Sequence, residues 1–336
     1  MAVKTSPVLS VPTNIITGFL GAGKTSAILN LLKHKPADER WAILVNEFGE
    51  IGVDGSLLEG SAGRDTDIHI REVPGGCMCC AAGLPMQIAL NQLLRRAKPH
   101  RLLIEPTGLG HPLEVLQILS ASHNSEILSI DKTLTLVDAR NIADERYAAH
   151  ATFRQQLSIA DLVVANKVDL YEQGDRAALE SFVGDYCHPQ SEIVYTQYGD
   201  LALSHLTGPT VINVEPGTQG HGGTTPTLLA EDLPLPDCGY VTAVNAGEGF
   251  ESIGWRFSPQ KVFSRSRLIS FMRQLDVERM KAVFITATGV FGYNLTRDAL
   301  TETALDDCAE SRIEIITDQI DQNWADNLTD CVVTGP

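Results

Sequence analysis

The sequence has little positive charge and few aromatic residues, and it lacks any long apolar run. Its 336 residues carry 26 Lys and Arg against 42 Asp and Glu, which gives a formal net charge of -16. An acidic surplus of this size disfavours binding to nucleic acid or to an anionic membrane surface. No apolar run reaches the roughly 18–20 residues that a membrane-spanning helix needs. We therefore expect no nucleic-acid partner and no membrane partner.

The start of the chain, residues 1–7, lacks the basic segment and the apolar run of about 7–15 residues that form a secretory signal. The expected compartment is therefore the cytoplasm. In a reducing compartment, the seven cysteines are not expected to form a disulfide framework. Three of them, Cys77, Cys79 and Cys80, are crowded together, which indicates metal or redox chemistry.

Strand and helix patterns alternate through the first part of the chain. The predicted strands are rich in Leu and β-branched residues without polar alternation, which is typical of strands buried on both faces. These strands are 14–17, 41–45, 101–104, 133–137 and 161–165. Helices are predicted at 26–33, 84–96, 114–120 and 176–186. This order predicts an α/β domain with a doubly wound, mostly parallel sheet.

A stretch rich in Gly and Pro interrupts the alternation at residues 207–239, and we interpret it as an irregular linker. The predicted organisation is a first domain at 1–206, this linker, and a smaller α+β domain at 240–336. The elements predicted in the C-terminal domain are helices at 263–275 and 317–328 and strands at 281–286 and 312–316.

The segment Gly18-Phe19-Leu20-Gly21-Ala22-Gly23-Lys24-Thr25 matches the phosphate-binding pattern Gly-x-x-x-x-Gly-Lys-Thr between a predicted strand and a predicted helix. Its backbone N–H groups are expected to wrap a β-phosphate, and the N-terminus of the helix adds attraction for the anion. Lys24 would neutralise charge on the β- and γ-phosphates, and the Thr25 hydroxyl would ligate Mg²⁺. The residues assigned to nucleotide binding here are Gly18, Gly21, Ala22, Gly23, Lys24, Thr25 and Ser26.

The segment Asn166-Lys167-Val168-Asp169 ends the strand predicted at 161–165 and indicates a guanine site. The Asp169 carboxylate can accept hydrogen bonds from the ring N1–H and the exocyclic amine of guanine. Adenine presents the opposite polarity at N1, so that buried groups would stay unpaired with ATP. Asn166 and the stem of Lys167 would shape the base pocket. The predicted nucleotide is GTP.

Two acids at strand ends, Glu105 and Asp138, are candidates for the carboxylate on the magnesium side of the nucleotide. A capping role in a turn or helix is the alternative for each. We assign the magnesium site to Thr25 and Glu105.

Residues 46–55 follow the second predicted strand, where a loop that senses the γ-phosphate is expected. Three acids in this loop, Glu47, Glu50 and Asp54, are candidates to ligate Mg²⁺, to orient water or to complete a thiolate site. A merely solvated acidic loop is the alternative. We place Asp54 with Lys24 and Thr25 in the catalytic set.

Cys77, Cys79 and Cys80 follow two glycines and offer three thiolates to one soft or borderline cation. Zn²⁺ prefers four ligands, so a fourth must come from elsewhere in the chain. Two alternatives remain: small buried side chains that pack in a core, and a redox pair of Cys77 and Cys80. We favour a zinc site.

Taken in order, five segments resemble the CobW-type metal-chaperone GTPases. They are Gly-Phe-Leu-Gly-Ala-Gly-Lys-Thr at 18–25, Asn-Glu-Phe-Gly-Glu at 46–50, Gly-Gly-Cys-Met-Cys-Cys at 75–80, Glu-Pro-Thr-Gly-Leu at 105–109 and Asn-Lys-Val-Asp at 166–169. The resemblance covers nearly the whole chain and is most specific over residues 14–169. One branch, described as zinc-binding GTPases, is especially similar at Gly-Leu-Gly-His-Pro, residues 108–112.

The resemblance implies a P-loop NTPase fold and a GTPase whose nucleotide cycle is coupled to Zn²⁺ handling by Cys77, Cys79 and Cys80. It also implies that Glu50 is a metal ligand, whereas Val45 stands at the position of a second acidic ligand in a relative. The sequence departs from the family in two further ways. His221 is the one histidine of the linker, and Arg279-Met280-Lys281-Ala282 replaces the usual Arg-x-Lys-Gly.

We therefore expect a GTP-hydrolysing zinc chaperone that uses GTP, Mg²⁺ and Zn²⁺. Turnover is expected to be slow, because no glutamine or arginine finger is evident. The alternatives are a zinc-storage module with structural GTP and a chaperone that inserts cobalt or nickel. The metal-receiving client protein and the oligomeric state are not identified, and a metal-dependent homo-oligomer is one option.

Overall fold

The computed structural model describes residues 10–45, 67–73, 84–212, 235–236, 238–247, 250–305 and 307–333. Contacts divide the chain into two compact units. The first unit includes the described residues up to 212, and the second includes those from 235 onward. Within the described ranges, no helix is both long enough and apolar enough to cross a membrane.

The first unit is built on a parallel sheet of eight strands. The strands are β1 Val11–Gly18, β2 Trp41–Val45, β3 Ile68–Glu72, β4 Arg101–Glu105, β5 Leu128–Ile130, β6 Leu134–Asp138, β7 Leu162–Asn166 and β8 Glu192–Tyr195. The helices are α1 Lys24–Lys33, α2 Leu84–Ala97, α3 Pro112–Leu119, α4 Ser122–Ser125, α5 Glu145–Ala148, α6 Ala151–Ser158 and α7 Asp175–Tyr186. The strand order is β3-β2-β4-β1-β6-β7-β8, and β5 pairs with β1. The strands thus extend from β1 in both directions, with β4 between β1 and β2 on one side and β6 to β8 in order on the other, which confirms the predicted doubly wound parallel sheet.

The apolar runs form strands because both of their faces are covered. All five residues of β2 are buried, and so are all five of β6 and of β7. One core cluster joins Ile15, Leu44 and Ile104 of the sheet to Leu90 of α2 and Leu116 of α3.

The register brings the carboxyl ends of neighbouring strands to one edge of the sheet. Ile15 of β1 lies opposite Ile104 of β4, and Val45 of β2 lies opposite Glu105. Strands β1, β2 and β4 therefore end at the same edge of the sheet, which is where a doubly wound sheet binds ligands.

The other edge of the sheet holds residues that were predicted to begin the linker. Asp161, which is 4% exposed, accepts hydrogen bonds from the backbone N–H of Thr133 (2.7 Å) and of Val211 (2.7 Å). The backbone N–H of Lys132 donates to the carbonyl of Gly208 at 3.0 Å. Residues 207–212 are thus tied to the first unit, whereas 213–234 lie outside the described residues.

The second unit is an antiparallel sheet with two helices. Its elements are β9 Tyr240–Gly247, β10 Phe250–Phe257, α8 Arg265–Met272, β11 Arg279–Thr286, β12 Gly289–Leu295, β13 Leu300–Leu305, β14 Ser311–Thr317 and α9 Trp324–Asp330. The strand order is β13-β12-β11-β14-β10-β9. Both helices pack on one face, where Leu268 and Leu328 join Trp255, Phe284 and Ile313 of the sheet. This arrangement confirms the predicted smaller α+β fold.

Two element predictions in the second unit were wrong in part. The helix predicted at 317–328 begins only at Trp324, because β14 continues through Thr317 and a turn follows in which Asp321 accepts from the N–H of Asn323 at 2.8 Å. The helix predicted at 263–275 begins at Arg265, because Phe263 makes β-bridges to Thr286 and Val332 instead.

The sheet face opposite the helices carries charged residues. Arg279 and Lys281, the cations of the altered Arg-x-Lys-Gly motif, alternate on β11 with Met280 of the core. Lys281 lies opposite Glu314 in the register of β11 and β14. Arg256 donates to both carboxylate oxygens of Glu310, at 2.7 and 3.0 Å. The motif thus contributes to a buried charged layer within the second unit.

We expect Asp161→Asn to lower the free energy of unfolding of the first unit by about 1–3 kcal/mol. An amide has one acceptor oxygen where the carboxylate has two, so one buried backbone N–H would lose its partner. Urea unfolding of the full chain measures the change. Asp185→Asn, at an exposed position on α7, is the control and should stay within about 0.5 kcal/mol of wild type. Equal effects of the two substitutions would contradict the role of Asp161 as a buried acceptor for the backbone N–H groups of Thr133 and Val211.

Candidate nucleotide site

The phosphate loop connects β1 to α1, as its sequence predicts. Gly23 lies immediately before α1 with a φ of 100°, a left-handed conformation that glycine adopts without steric cost. A Cβ atom at Gly23 would lie 2.4 Å from Nδ2 of Asn166. The loop therefore requires glycine here for two independent reasons, its backbone angle and the close approach of β7.

Lys24, the first residue of α1, points back into the loop. Its side chain is largely buried, with 5% of its surface exposed, and Nζ donates to the carbonyl of Gly18 at 2.8 Å. A second, longer contact joins Nζ to the carbonyl of Phe19 at 3.4 Å. The ammonium group is thus held inside the loop, where it faces any anion that the backbone N–H groups bind.

Thr25 and Glu105 meet at the edge of the sheet. The Thr25 hydroxyl donates to Oε1 of Glu105 at 3.1 Å, and Glu105, the last residue of β4, is 1% exposed. A hydroxyl beside a carboxylate is a set of hard oxygen donors, which suits Mg²⁺. The two residues that the sequence assigned to magnesium are therefore adjacent.

Asp138, the last residue of β6, has different neighbours. Its carboxylate pairs with Arg140 at 2.5 Å and with Lys167 at 3.3 Å, and it also caps the turn that follows β6. The alternative of a turn cap therefore describes Asp138 better than the magnesium role. Its ion pair with Lys167 connects it to the base side of the site.

Asn166 joins the base side of the site to the phosphate loop. Its Nδ2 donates to the carbonyl of Ala22 at 2.9 Å, and its Oδ1 accepts from the N–H of Gly199 at 3.0 Å. Lys167 follows in a left-handed conformation with a φ of 62°. Asp169 lies exposed in the short helix Val168–Leu170, next to this junction.

A loop that follows β8, which no sequence motif indicates, also belongs to the site. Besides the bond from Gly199 to Asn166, the carbonyl of Tyr198 accepts from Nδ2 of Asn30 on α1 at 2.6 Å. Tyr198 has a φ of 56° and is 70% exposed. Left-handed non-glycine residues cluster at ligand sites, where they store strain. The pair Gly199-Asp200, shortly after the end of β8 at Tyr195, was the available signal, but no sequence motif links it to Asn166.

The remaining predicted site residues lie outside the described part of the chain. These are Asp54, Glu50, Cys77, Cys79 and Cys80. Among the described residues, no three His, Cys, Asp or Glu side chains cluster to hold a metal. Burial raises the pKa of the Cys187 thiol to about 12 and that of the Cys331 thiol to about 11.

Comparison with known proteins agrees with this geometry. Residues 12–193 match the nucleotide-binding domain of the CobW/HypB/UreG family. The chain is 40% identical over 314 residues to the zinc chaperone YeiR of Escherichia coli, covering 91% of this chain and 92% of that protein. It is 30% identical over 221 residues to the zinc chaperone CobW of a Sinorhizobium species, covering 59% and 62% of the two chains.

Among solved structures, the Zn(II)-bound YjiA GTPase of E. coli is similar with a TM-score of 0.43 and 18% identity, covering 96% of this chain and 99% of that one. The match of the family model and the long alignment with YeiR define the class of protein to which this chain belongs. The chain belongs to the CobW/HypB/UreG family, and its first unit contains the family's nucleotide-binding domain.

We expect Gly23→Ala to weaken nucleotide binding by at least about tenfold. A left-handed alanine costs roughly 1–2 kcal/mol, and the new methyl group would also displace the Asn166 amide. Titration with a fluorescent GTP derivative measures the affinity. Gly174→Ala is the control, because Gly174 also has a positive φ, of 109°, but has open space around it. It should lower stability and leave affinity unchanged; equal losses of affinity would contradict the role of the Asn166 contact.

Proposed function

We propose that this protein binds and hydrolyses GTP in the first unit. The observation that carries the proposal is the bridge made by Asn166 between the phosphate loop at Ala22 and the loop at Gly199. It joins the segment that fits guanine to the segment that fits phosphate through one buried side chain. A nucleotide that spanned both segments would meet a preformed site, which reduces the entropic cost of binding.

The residues around Lys24 are suited to phosphoryl transfer with Mg²⁺. Thr25 and Glu105 would hold the ion, which supplies positive charge against the phosphate oxygens when bound. Lys24 adds a buried ammonium on the phosphate side, where water is excluded and its charge acts more strongly. We assign the orientation of the attacking water to Asp54 on sequence grounds.

We further propose that Zn²⁺ is the cargo and that Cys77, Cys79 and Cys80 bind it, with Glu50 as an additional ligand. The names of similar proteins support this, because YeiR and CobW are named zinc chaperones. If GTP alters zinc affinity, zinc must alter GTP affinity by the same factor.

Two other functions share the same residues. A zinc-storage protein would bind zinc without any change in GTP turnover. A chaperone for cobalt or nickel would respond to those ions more strongly than to zinc, although thiolate ligands favour zinc. The names of the similar proteins favour zinc delivery over both.

We expect Asp169→Asn to reduce affinity for GTP by about 10- to 100-fold, the loss expected for hydrogen bonds from the base to a charged acceptor. Guanine offers two donors, N1–H and the exocyclic amine, but the Asn amide has only one acceptor oxygen. Its NH2 group can instead donate to the C2 carbonyl of xanthine. Affinity for xanthosine triphosphate should therefore rise. Competition titrations with both nucleotides test this. Asp185→Asn is the control for loss of one negative charge, and equal behaviour of the two variants would refute the guanine assignment.

The zinc proposal predicts that Zn²⁺ changes the rate of GTP hydrolysis in the wild-type protein. In the triple variant Cys77→Ala/Cys79→Ala/Cys80→Ala, both zinc binding and this response should be lost, because the thiolates are gone. Equilibrium dialysis and phosphate release measure the two effects. Cys238→Ala, which removes an exposed thiol of the second unit, should behave as wild type. Full zinc binding with an unchanged response in the triple variant would show that the assignment is wrong.

A further inference from the structure

The carbonyl of Gly108 is held by a buried side chain that has no place in the nucleotide motifs. Gln156 of α6 is fully buried, and its Nε2 donates to this carbonyl at 2.9 Å. A separate hydrogen bond runs from the hydroxyl of Thr135 on β6 to the backbone carbonyl of Gln156 at 2.8 Å and does not involve the carboxamide. A buried carboxamide donor defines the orientation of the peptide group that it contacts.

Gly108 lies directly against the phosphate loop. A Cβ atom built on it would lie 3.2 Å from Nζ of Lys24 and 3.1 Å from the backbone nitrogen of Leu20. Gly108 is also three residues beyond Glu105, which contacts Thr25. The segment 105–108 thus runs from the proposed magnesium ligand to the ammonium of Lys24.

The same helix also contacts the phosphate loop through aromatic rings. Phe19 packs edge to face with His150, which caps α6, at 4.9 Å between ring centres, and with Phe153 of α6 at 5.9 Å. Beyond Gly108, Nδ1 of His111 lies 3.0 Å from Oε1 of Gln155. One short helix therefore holds both the phosphate loop and the segment that follows β4.

We propose that Gln156 is a positioning residue for GTP hydrolysis, which it serves by holding the Gly108 carbonyl away from Lys24. The inference rests on the proposed function of the first unit. Glycine has no side chain to restrain its peptide group, and the nearest cation, Lys24, is adjacent. Without the amide donor, the Gly108 carbonyl turns toward the ammonium and competes with the phosphate oxygens for it.

The test compares Gln156→Met with wild type in the full-length protein. Methionine keeps the length and volume of the side chain but cannot donate to the carbonyl. We expect kcat for GTP to fall about five- to tenfold, the equivalent of one buried hydrogen bond, with KM and GDP affinity within about twofold. Thr135→Val is the matched control, because it removes a buried hydrogen bond to the same residue of α6 without touching Gly108. It should lower thermal stability and leave kcat unchanged.

A second variant, Gln156→Glu, tests the donor itself. The protonated acid can donate to Gly108 and the carboxylate cannot, so kcat relative to wild type should recover as the pH falls. A purely structural role would restore the melting temperature and kcat together as the pH falls, so thermal unfolding is measured over the same pH range. Suppose that the wild-type protein hydrolyses GTP. The role of Gln156 is then refuted, and the proposed GTPase function is not, if kcat of Gln156→Met stays within twofold of wild type. The same holds if Thr135→Val lowers kcat as much as Gln156→Met does. If wild type does not hydrolyse GTP, the proposed function fails together with the role of Gln156.

Discussion

The first unit depends on one carboxamide, that of Asn166. This side chain is 2% exposed and satisfies two backbone groups from loops far apart in sequence, the carbonyl of Ala22 and the N–H of Gly199. Backbone groups buried at such a junction need partners, so neither loop can move alone without leaving one of them unsatisfied. The distance between the phosphate side and the base side is therefore set by β7 and one side chain. This explains why the motif residue Asn166 is internal, whereas Asp169, which would meet the base, stays exposed.

The parallel register delivers several acids to one edge of the sheet, but their neighbours decide what each one does. Glu105 and Asp138 both end buried strands. Glu105 contacts the hydroxyl of Thr25 and lies on the phosphate side, whereas Asp138 is neutralised by Arg140 and Lys167. A carboxylate that already pairs with two cations is a poor additional ligand for Mg²⁺. A carboxylate at a strand end can therefore take the magnesium role only if its neighbours also leave it available to the ion.

The sequence predicts those parts of the molecule whose signals are local. The central strands have continuous apolar runs because both faces are covered, and the motif residues of the nucleotide site are contiguous. The C-terminal edge strand β13, Leu-Thr-Glu-Thr-Ala-Leu, was missed because most of its residues are exposed and polar. Gln156 and Tyr198 were missed for another reason, since their importance arises from contacts with Gly108 and Asn30 that only the folded chain creates. Propensity and motif contain no information about such pairs.

Two neutral amides, those of Asn166 and Gln156, perform related tasks near the phosphate loop. Each one donates to a backbone carbonyl, of Ala22 or of Gly108, in or against the phosphate loop. Carbonyl oxygens close to a bound phosphate repel it, and a donor that holds them reduces this repulsion. A lysine or arginine donor would hold the carbonyls too, but it would also attract the phosphate away from Lys24. Buried carboxamides avoid that competition because they carry no charge, so the loop keeps one cation and the anion has one place to bind.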